Sequence, residues 1–489
     1  MPSRPFSLRT VGVRLALLLT LGLSALAAHA APTAPAIKPR VFILTDVENE
    51  PDDTQSLVRL MLYANELDLR GLVATTSVHM KTGVHPESIR RVIEAYGQVL
   101  PRLRQHDRAY PDAQQLQSLV AAGQPGYGLQ AIGEGRDSAG SALLLRELLR
   151  PDPRPLWVPV WGGANTLAQA LHTLRRTQAP EAVAQAVKRL RVYTISDQDD
   201  TGAWLRREFP ELFYIVSPGG YANATWGGIN QAVEGIDNEV VSNAWLARHI
   251  QQGHGPLGAR YPDVAYGMEG DTPSFLGLIP NGLNAPEHPD WGGWGGRYER
   301  YIPRREDTDP NGFTGGVPIE PETRPIWSNA VDRYRPFVPA THGRAVKPGE
   351  REFSGFSVTV WRWREAIQND FAARIRWTTH SPAETNHPPV VRLAQPNELS
   401  VRGGDWVTLD ASASTDPDGD SLSFLWFVYP EAGSLKQPLN LGTENLARIR
   451  FQVPEVSATA TAHVILQVSD KGSPALTRYQ RVVLTITPR

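Results

Sequence analysis

Short apolar runs, each followed by a polar loop, recur through the first 200 positions and set the architecture of this chain. They are Val41-Phe42-Ile43-Leu44, Gly71-Leu72-Val73-Ala74-Thr75-Thr76, Leu156 to Val160 and Leu190 to Ile195. An apolar run without alternation is what a strand covered on both faces requires, as in a parallel sheet. Between the runs, Ser56 to Ala64 and Pro86 to Val99 space their apolar residues as helices do. Strands alternating with helices predict a doubly wound, mostly parallel α/β sheet. In such sheets ligands bind beyond the carboxyl ends of the strands.

A chain of 489 residues exceeds one ordinary core, so two domains are expected. From about Asn281 to Gly349 the pattern turns to loop chemistry rich in Gly, Pro and Trp, and Val358 to Trp377 reads as a closing amphipathic helix. Short alternating strands follow a linker: Val390 to Leu393, Trp406 to Leu409, Leu422 to Val428, Ala447 to Val453, His463 to Val468 and Arg481 to Ile486. These predict an all-β sandwich of immunoglobulin size. The division expected is a signal peptide over 1–30, an α/β domain over 31–380, a linker over 381–389 and a sandwich over 390–489.

Arg4, Arg9 and Arg14 precede the apolar run Leu15 to Ala28, and Ala28-His29-Ala30 offers small residues at both cleavage positions. The run is shorter than the ~20 residues that span a bilayer, so a cleaved signal is expected rather than an anchor. That places the mature chain in the periplasm or outside the cell, without a membrane span. A net charge of −2 and the lack of any Lys/Arg tract argue against a nucleic-acid polymer as partner. Cysteine is absent, which excludes disulfides, thiolate chemistry and Cys-ligated zinc.

Thr45-Asp46-Val47-Glu48-Asn49-Glu50-Pro51-Asp52-Asp53 sets five carboxylates into eight positions directly after the first strand. One reading is a solvated turn that caps the helix beginning near Thr54. The other starts from the buried strand that Asp46 leaves: carboxylates gathered in a sheet crevice repel one another and lose hydration. They are then either protonated or share a hard cation with oxygen ligands, calcium before magnesium.

This segment resembles the Asp-x-Asp-Pro-x-x-Asp-Asp fingerprint of calcium-dependent nucleoside hydrolases. Aligned on the final pair, Asp46 matches the first acid, Glu48 the second, and Asp52-Asp53 the pair. The resemblance implies Glu48 and Asp53 as calcium ligands and places Asp46 and Asp52 beside the substrate. Glu48 departs from the usual Asp, and Asn49-Glu50 from the usual Pro-Gly. Val158-Pro159-Val160-Trp161-Gly162-Gly163-Ala164-Asn165 is similar to the family's Pro-Thr-Gly-Gly segment, which implies the Trp161 carbonyl as a ligand. Met268-Glu269-Gly270-Asp271-Thr272 is similar to its late His-Asp segment, which implies Asp271 as the last ligand. Gly270 stands where purine-directed enzymes often carry a base-protonating His. Tight strand–helix packing of the glycines and helix capping by Asp271 are the alternatives.

The resemblance is to a branch of secreted bacterial proteins with a nucleoside-hydrolase-like domain and a C-terminal Ig-like domain, often labelled cellulose-binding. Asp410 to Asp420 followed by Trp426 resembles the signature of PKD and related modules, where Asp416, Asp418 and Asp420 read as a β-turn, with structural calcium the alternative. In the implied mechanism a calcium-bound water attacks the anomeric carbon and Asp52 accepts its proton. Candidates for protonating the leaving group are His79, Glu269 and His288. Asp197, Asp199 and Asp200 are assigned to sugar hydroxyls, with helix capping the alternative; Trp291 and Trp294 are assigned to a carbohydrate subsite, with core filling the alternative. The expected activity is glycosyl-bond hydrolysis of a small sugar-containing substrate or plant polysaccharide. The rival is a carbohydrate-binding protein without turnover. Relatives of this fold commonly pair, and a homodimer stays open.

Overall fold

Every residue of the first strand, β1 (Arg40–Thr45), is buried. Alternate side chains of that strand enter two different cores. Val41 and Ile43 pack with Leu57, Leu60, Ile93 and Tyr96 on one face of the sheet. Phe42 and Leu44 pack with Leu144, Leu167, Leu171 and Leu205 on the other. This double burial is why the run reads as unbroken apolar sequence.

The molecule is known from a computed structural model that describes residues 37–216, 225–304, 317, 320–339, 346–442 and 445–489. Residues 1–30, expected as a signal peptide, lie outside the described residues. Among the described residues no helix is long and apolar enough to cross a membrane. Lys38–Arg489 forms one compact unit.

With β2 (Asp68–Ala74), β3 (Val120–Ala122), β4 (Leu156–Val160), β5 (Leu190–Thr194), β6 (Phe213–Ile215), β7 (Tyr298–Tyr301) and β8 (Ile326–Asn329), β1 builds an eight-stranded sheet. Its order is β3-β2-β1-β4-β5-β6-β8-β7, parallel throughout except for β7 against β8. The chain moves outward in opposite directions from β1 and β4, so the switch point lies between those two strands. The covering helices are α1 (Pro51–Leu62), α2 (Pro86–His106), α3 (Ala113–Gln117), α4 (Ala139–Leu149), α5 (Asn165–Thr177), α6 (Pro180–Arg189) and α7 (Thr201–Glu208).

The stretch expected as loop, Asn281 to Gly349, supplies β7 and β8 and the short strands β9 (Asp332–Tyr334) and β10 (Phe337–Pro339). Strands of three or four residues are too short to show a period. Three brief helices, α8 (Asn243–Leu246), α9 (Gly255–Gly258) and α10 (Pro273–Leu276), fall between β6 and β7 in the sequence; β11 (Val346–Pro348) closes the 281–349 stretch, and β12 (Phe353–Gly355) follows it. The helix expected over Val358 to Trp377 is broken into α11 (Val358–Trp361) and α12 (Arg364–Arg376).

The C-terminal part is an all-β sandwich. β13 (Glu398–Arg402), β18 (Thr477–Thr487), β17 (Ala460–Ser469) and β15 (Ser423–Val428) form one sheet, in that order, and β14 (Trp406–Asp410) and β16 (Arg448–Gln452) form the other. Leu409, Trp426, Ile449, Val464 and Leu484 fill the space between them. Val390 to Leu393 is not a strand; only Val390 pairs, through an isolated bridge to Thr415.

The sandwich shares a core with the α/β layers. Phe427, Tyr429, Ile465 and Tyr479 belong to the same apolar cluster as Leu57 and Trp363. The Tyr429 hydroxyl donates to Asp332 at 2.6 Å, and buried Asp332 also pairs with Arg297 at 2.7 Å and Arg362 at 3.0 Å. Backbone joins as well: Tyr479 N–H donates to the Asn281 carbonyl at 2.9 Å and Arg481 N–H to the Gly282 carbonyl at 3.1 Å. Gly282 sits at φ 83°, and a β-carbon there would fall 1.9 Å from the Tyr479 carbonyl oxygen, so only glycine allows the approach.

Candidate active site at the switch point of the sheet

β1 ends at Thr45, and the next residue, Asp46, stands at the crevice between β1 and β4. Its side chain is 2% exposed, bonded to Ser77, and its Oδ2 is buried without a partner. The loop then turns sharply, with Asn49 N–H donating to the Asp46 carbonyl at 3.0 Å. Pro51 opens α1, and Asp52 and Asp53 fall in its first turn, where the helix dipole favours carboxylates. Asp52 accepts from the Asp53 amide and from the Trp226 indole N–H, both at 3.0 Å. Asp53 accepts from the Thr45 hydroxyl.

Asp271 comes from 218 residues beyond Asp53 and meets them. It is 2% exposed, and its Oδ2 is also buried without a partner. Carboxylate oxygens of Asp52, Asp53 and Asp271 lie within 4.8 Å of one another. At that distance two unit charges repel by roughly 3.5 kcal/mol in an effective dielectric of ~20. Burial, reinforced by the mutual charges, raises the carboxyls of Asp46, Asp53 and Asp271, and burial raises Asp52. Glu50, at the N-cap of α1, is pushed up to about 7 by burial and by Asp52 and Asp46. Oxygen-only donors, excess negative charge and two orphaned buried oxygens are a donor set that fits a hard divalent cation.

Glu48, expected as a ligand, is not among them. Its φ of 84° swings the side chain off the inner side of the loop, where it bonds Ser88 and pairs with Arg91 at 2.9 Å, half-exposed. The Trp161 carbonyl accepts from the Gln198 amide. Its indole N–H donates to Ser274 Oγ at 2.9 Å, and that hydroxyl donates to the Asp271 carbonyl at 2.6 Å, so Trp161 braces the Asp271 loop. A β-carbon on Gly162 would lie 2.7 Å from that of Asp46, which accounts for the glycine beneath it.

Glu269, expected as a proton donor, is fully buried and pairs with Arg59 of α1 at 2.5 Å; Tyr261 and Thr272 also donate to it. Paired in this way it positions the loop. Its neighbour Gly270 faces Trp226, whose Cδ1 would lie 1.9 Å from an added β-carbon. Thus the indole fills the space that a side chain at position 270 would need. His79 is exposed on the loop after β2, and burial of part of its ring, with Lys81 beside it, lowers its pKa.

The other assigned residues serve the scaffold. Asp197 pairs with Arg206 through both oxygens, at 2.9 and 2.7 Å. Asp199 accepts from the amides of Asn165 and Thr201, the first residues of α5 and α7, and Asp200 accepts from Leu129 N–H at 2.7 Å. These acids cap and tie loops, the alternative weighed for them above. Trp294 is fully buried edge-on to Tyr479, Trp291 packs against His463, and exposed His288 stacks on Trp291 with centroids 4.1 Å apart. Their rings fill the junction with the sandwich instead of lining a sugar subsite. Glu50, Ser77 and Trp226 went unforeseen: Glu50 stood inside the acidic motif, while Ser77 and Trp226 carry no motif.

Residues 40–298 match the family described as Cellulose-binding Sde182, nucleoside hydrolase-like domain, and 406–486 match Cellulose-binding protein Sde0182, C-terminal domain. A solved nucleoside hydrolase-related hypothetical protein from Saccharophagus degradans, associated with carbohydrate metabolism, is 33% identical. The match covers 92% of this chain and 100% of that one, with a TM-score of 0.76. The effector protein XOO4466 and the type III effector XopQ, the latter complexed with adenosine diphosphate ribose, are 15% and 14% identical. Each covers 60% of this chain and 88% of its own, at a TM-score of 0.27. No curated protein matches the chain. An α/β layer of nucleoside-hydrolase type, a C-terminal β-sandwich and matches along both parts make this chain a member of the Sde182 family of nucleoside-hydrolase-like proteins.

Proposed function

We propose that the protein is a secreted, calcium-dependent hydrolase of glycosyl bonds acting on a carbohydrate. The supporting observation is the convergence of Asp52, Asp53 and Asp271 at the switch point, with the charge of Asp46 acting on them and two buried oxygens left unpartnered. Asp53 and Asp271, with an oxygen of Asp46 or Asp52, would hold calcium. When bound, that ion supplies the positive charge that offsets the carboxylates and acidifies a water.

The chain's own residues do the rest. The Asp53 amide and the Trp226 indole each bond one oxygen of Asp52 and so fix the carboxylate plane, leaving a lone pair free to accept a proton from the attacking water. The glycosyl bond breaks in the same step, and its electron pair departs with the leaving group, which takes a proton from solvent. Negative charge from the cluster stabilises positive charge developing at the anomeric carbon. Trp226, partly exposed beside Asp52, offers an apolar surface to the substrate.

A second reading, carbohydrate binding without turnover, is favoured by the ion pair that holds Glu269 and by Gly270 in place of a protonating His. The description of the matched family as cellulose-binding supports it too. The test is incubation with calcium and a panel of nucleosides, aryl furanosides and plant oligosaccharides, with products resolved by chromatography. Turnover that needs calcium and disappears in Asp53→Asn is the expected result. Retention on cellulose with no turnover of any substrate would overturn the catalytic reading in favour of the binder.

A further inference from the structure

We propose that a pocket beside the acid cluster binds an acidic sugar, a uronic acid unit of the carbohydrate chain. The pocket lies beyond the carboxyl end of β3, between the loop after β2 and the loop that joins β3 to α4. Its volume is about 780 Å³, within the roughly 300–1,000 Å³ usual for ligand sites. Lys81, Thr82, Gln124, Tyr127, Arg136 and Asp137 line it. The proposal rests on the reading of the acid cluster only for where the glycosyl bond is held, and it names the chemistry of a neighbouring unit.

Gln124 is fully buried, and its amide donates to the carbonyls of Ala131 and Arg136 at 2.9 and 2.7 Å, which folds the loop back on itself. Its Oε1 is buried with no partner. That atom only accepts, so it calls for a hydroxyl of a ligand and repels a carboxylate. Tyr127 is partly exposed, with Lys81 Nζ 5.1 Å from its ring centre. Arg136 spends one N–H on the Gln130 carbonyl. Among the described residues neither Lys81 nor Arg136 has a carboxylate partner. The acid beside them, Asp137, is tied to α5, where Gln169 and Thr173 donate to its Oδ1 at 3.1 and 2.7 Å. A lone hydroxyl acceptor, a ring face and two unpaired cations complement a sugar that carries hydroxyls, an apolar face and a carboxylate.

One loop joins this pocket to the acids. Ser77 bonds Asp46, and its N–H donates to the Met80 carbonyl at 3.0 Å, so the chain doubles back just before Lys81. Four residues reach at most about 14 Å when extended, and the turn shortens that. The opposite wall is fixed as well. The Gly126 carbonyl accepts from Thr76 Oγ1 at 3.2 Å and from Asn165 Nδ2 at 2.7 Å, and Gly83 N–H donates to the Pro125 carbonyl at 3.2 Å. A carbohydrate chain held at the acids therefore enters the pocket within a unit or two of the bond it presents.

Isothermal titration of the full chain, in calcium-free buffer and an Asp53→Asn background that prevents turnover, tests the pocket with oligogalacturonates and cello-oligosaccharides of equal length. The acidic series is expected to bind at least about tenfold more tightly than the neutral one. Adding Lys81→Ala or Arg136→Ala should abolish that margin; both side chains are exposed, so the fold is spared. Adding Tyr127→Leu should weaken both series by removing the ring. Salt should erode the preference, because exposed charges are screened over about 8 Å at roughly 0.15 M. Intact preference for the acidic series in a protein that hydrolyses nothing would sink the catalytic reading alone. Equal affinity for the two series, no binding of either, or a preference that survives both charge substitutions overturns the proposal.

Discussion

Gly270 leaves room for Trp226, and Trp226 in turn orients Asp52. Gly270→Ala should push the indole aside, and Trp226→Phe should remove its donor while keeping the ring. A hydrogen bond to a charged group contributes about 1.5–3 kcal/mol, so each variant is expected to lower kcat/KM roughly 10- to 100-fold with an unchanged circular dichroism spectrum. Far from the cleft, Glu147 is 4% exposed among Arg40, Arg70 and Arg150. Burial pushes its carboxyl up, but the guanidinium hydrogen bonds prevail and hold it at about 2, against an ordinary 4.5. Because the folded value is the lower one, the stabilisation is complete above about pH 4.5 and disappears as pH falls through 2. Glu147→Gln should therefore cost on the order of 3 kcal/mol at pH 7 in urea unfolding, with the gap to the parent closing between pH 5 and pH 2. The acids of the cleft were legible because a strand end fixes their place. Which of them face inward was not: one positive φ at Glu48 decides it, and Trp226 reaches Asp52 across 174 positions without any local signature.

At the scale of elements, α1 organises the cleft. Its first turn carries Asp52 and Asp53, and its next turns hold the segment that delivers Asp271. Gln55 accepts from Glu269 N–H at 3.0 Å, Ser56 meets Thr272 at 3.0 Å, and Arg59 pairs with Glu269. Arg59→Met would leave buried Glu269 without its ion-pair partner, a loss of about 3–5 kcal/mol. Calorimetry should record a lower unfolding temperature, and the calcium affinity of the cleft should fall with it, since the loop loses its anchor. The strands and helices of the sheet were readable because double burial writes continuous apolar runs and amphipathic stripes. The break between α11 and α12 and the strand β13 escaped, since tertiary packing and a half-exposed edge leave weaker patterns.

The whole molecule is held together by a common core, and its parts should behave accordingly. A chain ending at residue 380 would uncover Trp363 and Trp294 and leave Asp332 without its Tyr429 hydroxyl. Such a protein is expected to aggregate on size-exclusion chromatography or to unfold well below the full chain, where a loosely tethered module could be removed without effect. The two-part plan was visible in the change from helical to alternating patterns. The weld between the parts was not, because it depends on Trp and Tyr rings that look the same in sequence whether they face sugar, solvent or another layer.

The bare backbone contact at Gly282 has an evolutionary consequence. A module joined by a linker alone is readily traded by recombination, since a linker asks nothing of what it carries. Here the strand of the incoming module would have to present a carbonyl and two amides in register with Asn281 and Gly282, ten residues downstream of Asp271. Swapping in an unrelated module would thus remove the contacts that hold this segment, which favours inheritance of the two halves together.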